Sequence, residues 1–163
     1  MSKILISINP EYVEEILNGT KKYEYRRMIA KKEVKSLVIY STWPIKEIVG
    51  EVEVIDTIEM TSSSLWENTK KFAGISRKKY REYFRGCKKA YAYVLGQVTK
   101  YEVGKKLTDI GVEKAPQSFL YLKEEQYETL REGRWYLMKS IGIWYEVTGE
   151  ELPQLEVHIN LWN

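Results

Sequence analysis

The chain is poor in the side chains that build disulfides and metal centres. Its 163 residues include one cysteine, Cys87, and one histidine, His158. A lone cysteine excludes an internal disulfide and fits a reducing compartment. One cysteine and one histidine exclude a zinc site of ordinary ligand count. No serine–histidine triad can be placed with them. His158, between Val157 and Ile159, reads as a structural histidine. A Gly-x-x-x-x-Gly-Lys phosphate loop and a dinucleotide fingerprint are also missing, so no cofactor is expected. Glu51 and Glu53 share a strand face, and a magnesium site with Glu24 is conceivable. Exposed strand carboxylates are the simpler reading, and no metal is expected. No apolar run approaches the roughly 20 residues that span a bilayer. The opening residues lack a basic stretch followed by an apolar one. The expectation is a cytoplasmic protein without a membrane partner. The sequon Asn18-Gly19-Thr20 carries little weight in that setting.

What is present is charge, unevenly placed. Charged residues make up 30% and hydrophobic ones 44%, as in a soluble globular protein. The net charge is +3, but residues 1–122 hold 22 basic against 15 acidic side chains, and residues 123–163 hold 4 against 8. The basic excess peaks between Lys70 and Lys89, where Lys70, Lys71, Arg77, Lys78, Lys79, Arg81, Arg85, Lys88 and Lys89 face only Glu82. Phosphate backbones reward such a cluster through counterion release. A solvated helical face is the plainer alternative.

Periodicity gives the organisation. Residues 3–8 alternate Ile4, Ile6 and Ile8 and predict a strand. Pro10 to Leu17 predicts a short helix with Asn9 at its cap and Pro10 in its first turn. Asn18-Gly19 then signals a turn. Lys22, Glu24 and Arg26 alternate with Tyr23 and Tyr25, the period of a half-buried strand. Val34 to Tyr40 reads as a central strand, ended by Ser41-Thr42-Trp43-Pro44. Ile48 to Glu59 reads as a long strand, bulged at Gly50. Ser64 and Glu67 have capping-box spacing for a helix over Leu65 to Phe72. Ser76 caps a second helix ending near Gly86. Ala90 to Thr99 is another strand, with Gly96 marking a bulge or a close backbone approach. Past Leu122 the pattern changes to a helix over Glu124 to Arg131 and strands over Trp135 to Val147 and Leu155 to Trp162. Short strands without regular βα alternation predict an α+β fold built on a small mixed barrel.

The stretch Gly19-Thr20-Lys21-Lys22-Tyr23-Glu24-Tyr25-Arg26 puts an ammonium, a carboxylate and a guanidinium where a helix hands over to a strand. Rigid scaffolds aim functional groups at such junctions. Gly-x-Lys-x-x-Glu-x-Arg after a short N-terminal helix resembles the signature of the ASCH domain, one of the PUA-like barrels. The resemblance continues through Leu37–Thr42, Ile48–Glu53, Ser64–Trp66, Ala90–Leu95 and Pro116–Phe119, over roughly residues 3 to 122. It implies a β-barrel with helices around one opening, with residues 1–122 as the ASCH domain. Residues 123–163 are expected to be a helix/strand extension packed on the same domain. The acidic, aromatic extension is also a candidate surface for self-association; its Trp144, Tyr145 and Trp162 serve equally to cover barrel edges.

The expected site follows. A buried lysine with a lowered pKa acts as base or nucleophile, and a carboxylate positions it, so Lys21 and Glu24 are the catalytic candidates if the chain is an enzyme. Arg26 clamps a phosphate bidentately or stiffens the strand by pairing with Glu24. Trp43, beside Ser41 and Thr42, is the preferred base-stacking platform; Trp66 reads as packing. Lys78, Lys79 and Arg81 are candidates for gripping phosphates. Ser118, in the segment resembling the family's closing strand, either bonds a ligand or caps a turn. The expected function is binding of RNA or a modified nucleotide in this basic cleft. The alternative is an ASCH-type hydrolase using Lys21 and Glu24, either a ribonuclease or an amidohydrolase acting on acylated cytidine. The amidohydrolase relatives pair the motif lysine with a threonine where this chain has Glu24. Thr20 and Thr42 are the nearby hydroxyls.

Overall fold

In the computed structural model, residues 2–131 are described. They begin with strand β1 (Ser2–Ile8), helix α1 (Pro10–Leu17) and strand β2 (Tyr23–Arg26). Strands β3 (Val34–Ser41) and β4 (Glu47–Met60) follow, then helices α2 (Ser62–Thr69) and α3 (Arg77–Tyr83). Strands β5 (Ala90–Lys105) and β6 (Phe119–Tyr121) close the series. Residues 124–131 are helical. The chain divides into two compact units, residues 1–122 and 123–163.

The first unit is one mixed six-stranded sheet in the order β2-β5-β4-β3-β1-β6, curled into a half-barrel. Only β1 and β3 pair in parallel, with Ile4 opposite Leu37 and Ile6 opposite Ile39. The alternating isoleucines of β1 meet Val13 and Ile16 of α1 and Leu37, Ile39, Val52 and Tyr93 of the neighbouring strands in one core. Leu5, Val38 and Ile48 are buried as well, so the central strands have two apolar faces. A second cluster gathers Tyr25, Leu65, Ala73, Tyr80, Phe84, Ala90 and Ala92 between the sheet and helices α2 and α3.

The bulge expected at Gly50 is present: the β3–β4 register shifts between Ile39 and Tyr40, where Ile39 faces Gly50 and Tyr40 faces Ile48. The β4–β5 register slips again near Gly96. The expected bulge is therefore present, and what crowds Gly96 is side chains rather than backbone: a Cβ there would lie 2.6 Å from the Glu53 carboxylate. Helix α2 starts earlier than the Ser64–Glu67 pattern suggests. Thr61 is its cap and accepts a bond from the Ser64 amide, so Ser64 lies inside the first turn. After Thr69 the helix tightens into a 3₁₀ turn over Lys70–Phe72. Ser76 caps α3 as expected, accepting from the Lys79 amide. Asn9 holds the cap position of α1, but its side-chain oxygen accepts from Thr42 Oγ1 at 3.2 Å instead of from the helix. Strands expected over Trp135 to Val147 and Leu155 to Trp162 lie outside the described residues, as does His158.

Two left-handed glycines separate backbone strain from crowding. Gly74 has φ +60°, and a Cβ there would stand 2.6 Å from Lys21 Cβ. Gly86 has φ +78° with open space around it. Gly86→Ala should therefore cost only the left-handed penalty of about 1–2 kcal/mol. Gly74→Ala should cost more and disturb Lys21. Paired urea titrations check this, and equal losses would contradict it.

Candidate functional site

One cleft, of about 400 Å³, opens where α1, β2, the end of β1 and α3 converge. The turn after α1 brings Lys21 into it. The Thr20 and Lys21 amides both donate to Glu15 O, at 3.0 and 2.9 Å, which closes the helix and folds the chain back. The Lys22 amide donates to Phe72 O at 2.9 Å, fastening the turn to the segment between α2 and α3. Lys21 is only 3% exposed. Its stem lies against Gly74, and its Nζ donates to Ala73 O at 2.7 Å. The ammonium also stands 4.7 Å from the Tyr25 ring centre and 5.5 Å from that of Tyr12, within cation–π range.

Burial disfavours the charged amine and holds the Lys21 pKa below the usual lysine value; Arg26 pushes the same way, while Glu24 and Glu15 oppose it. The same burial pushes the Tyr25 hydroxyl up to about 12, although its bond with Thr69 Oγ1 works against this. Tyr12 and Tyr83 are also raised, chiefly by burial.

Glu24 and Arg26 share a face of β2, as the alternation requires. Arg26 Nη2 meets Glu24 Oε1 at 3.0 Å and donates to Ser7 O at 2.9 Å. Since β2 is one edge of the sheet and β1 lies next to the other, the guanidinium bridges the open side of the half-barrel. Arg26 Nε is buried and has no hydrogen-bond partner. The predicted Lys21–Glu24 approach thus takes a particular form. Both line one cleft, but the carboxylate is paired with Arg26 and the ammonium is held by a carbonyl.

Of the other residues singled out from sequence, Thr42 and Lys79 line this cleft. Lys79 Nζ pairs with the Glu11 carboxylate at 3.0 Å. Ser41 is buried at the end of β3, Trp43 projects outward at 77% exposure, and Ser118 is half-buried; none of the three lines the cleft. Its neighbour Gln117 does. Lys78 and Arg81 lie along a separate, larger groove between α2 and α3. That groove is larger than the cleft, yet the buried ionisable cluster is in the cleft, and burial rather than size is what perturbs chemistry. Sequence reasoning missed Tyr12, Tyr83, Asn9 and Ala73. Tyr12 carried a signal, an aromatic on the face of α1 that leads into the motif turn. Ala73 carried none, because its part is played by a backbone carbonyl. Among the described residues, no cluster of three His, Cys, Asp or Glu side chains is placed to hold a metal ion, and no helix is long and apolar enough to cross a membrane.

A curled, mixed six-stranded half-barrel with short helices and a Gly-x-Lys-x-x-Glu-x-Arg cleft is an α+β domain of ASCH type. The ASCH domain family model matches residues 6–143, and the chain belongs to that family. A protein from Zymomonas mobilis named ASCH domain-containing ribonuclease is 30% identical over 130 residues, which is 77% of this chain and 88% of that one. The crystal structure of ASCH from Zymomonas mobilis superposes with a TM-score of 0.75 at 28% identity, covering 80% of this chain and 94% of that one. A Ureaplasma parvum protein named ATP synthase subunit alpha is 31% identical over 121 residues. That match takes in 74% of this chain but spans only 15% of the relative's length.

Proposed function

We propose that this chain binds single-stranded RNA in the Lys21–Glu24–Arg26 cleft and cleaves it there. The observation that carries the reading is a buried ammonium and a buried carboxylate lining one cleft, each below a tenth exposed. The relative named a ribonuclease supports the choice of RNA cleavage over binding alone. In the reaction, the 2′-hydroxyl oxygen bonds to the adjacent phosphorus and the bond to the 5′-oxygen breaks. Glu24 accepts the 2′-hydroxyl proton, and Lys21, whose proton is loosened by burial, gives one to the departing 5′-oxygen. Once Glu24 is protonated, Arg26 loses its anionic partner and faces the charge that builds on the phosphoryl oxygens. The products are a 2′,3′-cyclic phosphate and a 5′-hydroxyl. Tyr12 and Tyr83 offer aromatic surface beside the reacting groups.

Purified protein incubated with labelled single-stranded RNA, hairpin RNA and acetylated cytidine tests this. The expected result is cleavage of the single strand, lost in Lys21→Ala, with no acetate released. Intact RNA bound in a salt-sensitive way would return the chain to a binding module. Acetate release would move it to amide hydrolysis.

A further inference from the structure

We propose that the groove between α2 and α3 is a second subsite, which takes the nucleotides flanking the one in the cleft and makes the substrate a single strand several nucleotides long. The inference rests on the RNA reading of the cleft. Helix α3 is the ridge between the two sites. At roughly 100° per residue, Lys79 and Tyr83 fall on one flank and line the cleft, whereas Arg77, Lys78 and Arg81 fall on the other and line the groove, joined there by Arg85 from the turn after the helix. Tyr80 and Phe84 point into the core between them.

The charges on the two flanks differ in a way that composition does not reveal. Lys70, Lys79 and Lys89 of the basic run are neutralised by Glu67, Glu11 and Glu59. Lys78, Arg81 and Arg85 are exposed and have no ion-pair partner among the described residues. Glu67, paired with Lys70, and Glu82 also line the groove, so Arg77, Lys78, Arg81 and Arg85 leave it a net basic excess, and basic groups without an ion-pair partner gain most from a phosphate backbone. The groove, about 910 Å³, also contains Trp66, half-buried and packed against Tyr80 with ring centres 4.8 Å apart. An indole already held on one side loses little freedom when a base stacks on the other, and such stacking is sequence-tolerant. Trp66, not the projecting Trp43, is therefore the base platform. A helix is about 10–12 Å across with its side chains, and phosphates in one duplex strand are about 3.4 Å apart along the axis. Crossing the ridge thus takes up to about three nucleotides at that compact spacing, and fewer in a more extended strand.

Fluorescence anisotropy with 5′-labelled 2′-deoxy-oligouridylates of two and eight nucleotides, which lack the 2′-hydroxyl and so stay intact, across a salt series, tests the proposal. Wild type should bind the octamer at least about tenfold tighter than the dimer, the worth of one or two stacked bases. The triple variant Lys78→Glu/Arg81→Glu/Arg85→Glu changes exposed side chains only. It should lose most of that gain and lower the slope of log K against log salt by roughly 2, with dimer binding unchanged. Trp66→Leu should weaken the octamer alone. An octamer bound equally by wild type and triple variant overturns the subsite and leaves the cleft reading intact. An octamer no tighter than the dimer in wild type, or an eight-base-pair duplex that competes as well as the single strand, also overturns it. Wild type that binds neither length overturns the cleft reading and this inference with it.

Discussion

Arg26→Ala should destabilise the fold by about 3–5 kcal/mol, the range for removing one partner of a buried ion pair. The pair side chains are 11% and 9% exposed, so water cannot replace the lost guanidinium beside Glu24. The substitution also removes the bond to Ser7 O that ties β2 to β1 across the open side of the sheet. Arg26→Lys should recover part of the loss, since an ammonium restores charge but cannot span both partners. Replacing the pair together, as Glu24→Gln/Arg26→Met, should cost less than Arg26→Ala alone, because no charge is stranded. Urea midpoints at unchanged m-value give these numbers. A loss below about 1 kcal/mol for Arg26→Ala would mean the pair behaves like a solvated surface contact.

Lys21→Met should abolish at least about 100-fold of the cleavage activity, the lower end of what a positioned proton donor contributes. Wild type should lose activity on the alkaline side, as Lys21 gives up its proton, at a pH below the usual lysine value of 10.5. Stability carries a second signature. The folded pKa of Lys21 lies below its unfolded value, so the folded state holds fewer protons there and wild-type stability rises with pH through that window. The penalty on the buried ammonium is in force below the folded pKa and is relieved between it and the unfolded one. Lys21→Met has no such group. Wild type should therefore gain stability relative to the variant as pH rises from neutral toward about 10.5. Parallel stability curves for the two proteins would contradict a shifted Lys21.

The parts of the fold that were legible in sequence are those governed by local period. Pro10 to Leu17 has one apolar stripe, and Val34 to Tyr40 ends in an unbroken β-rich apolar run, Leu37 to Tyr40, that a central strand buries on both faces. Strand β5 is less legible past Thr99. Its pairing continues to Lys105, opposite Ile48, only because register shifts along β4 and β5 absorb the mismatch. The start of α2 is not legible in the sequence, because Thr61, Ser62, Ser63 and Ser64 are all good caps; in the structure Thr61 takes the role.

The site divides along the same line. Lys21, Glu24 and Arg26 are close in sequence and their meeting follows from a turn and a strand. The clamp on Lys21 comes from Ala73 and Gly74, about fifty residues later, through a carbonyl and an absent side chain, neither of which has a motif. Lys78, Lys79 and Arg81 looked like one patch because they are neighbours in sequence. On a helix the same adjacency sends Lys79 to one flank and the other two to the opposite one. Trp43 drew notice as an aromatic in a loop, but the turn carries it outward while Thr42 faces in to Asn9.

The most direct test of the account uses one RNA strand with a single ribonucleotide in an otherwise 2′-deoxy backbone, incubated with wild type, Lys21→Ala and Glu24→Gln. Wild type should cut only after the ribonucleotide, leaving a 2′,3′-cyclic phosphate, and both variants should leave the strand intact. Cleavage at deoxynucleotide positions, or undiminished cleavage by either variant, would contradict 2′-hydroxyl attack governed by Lys21 and Glu24.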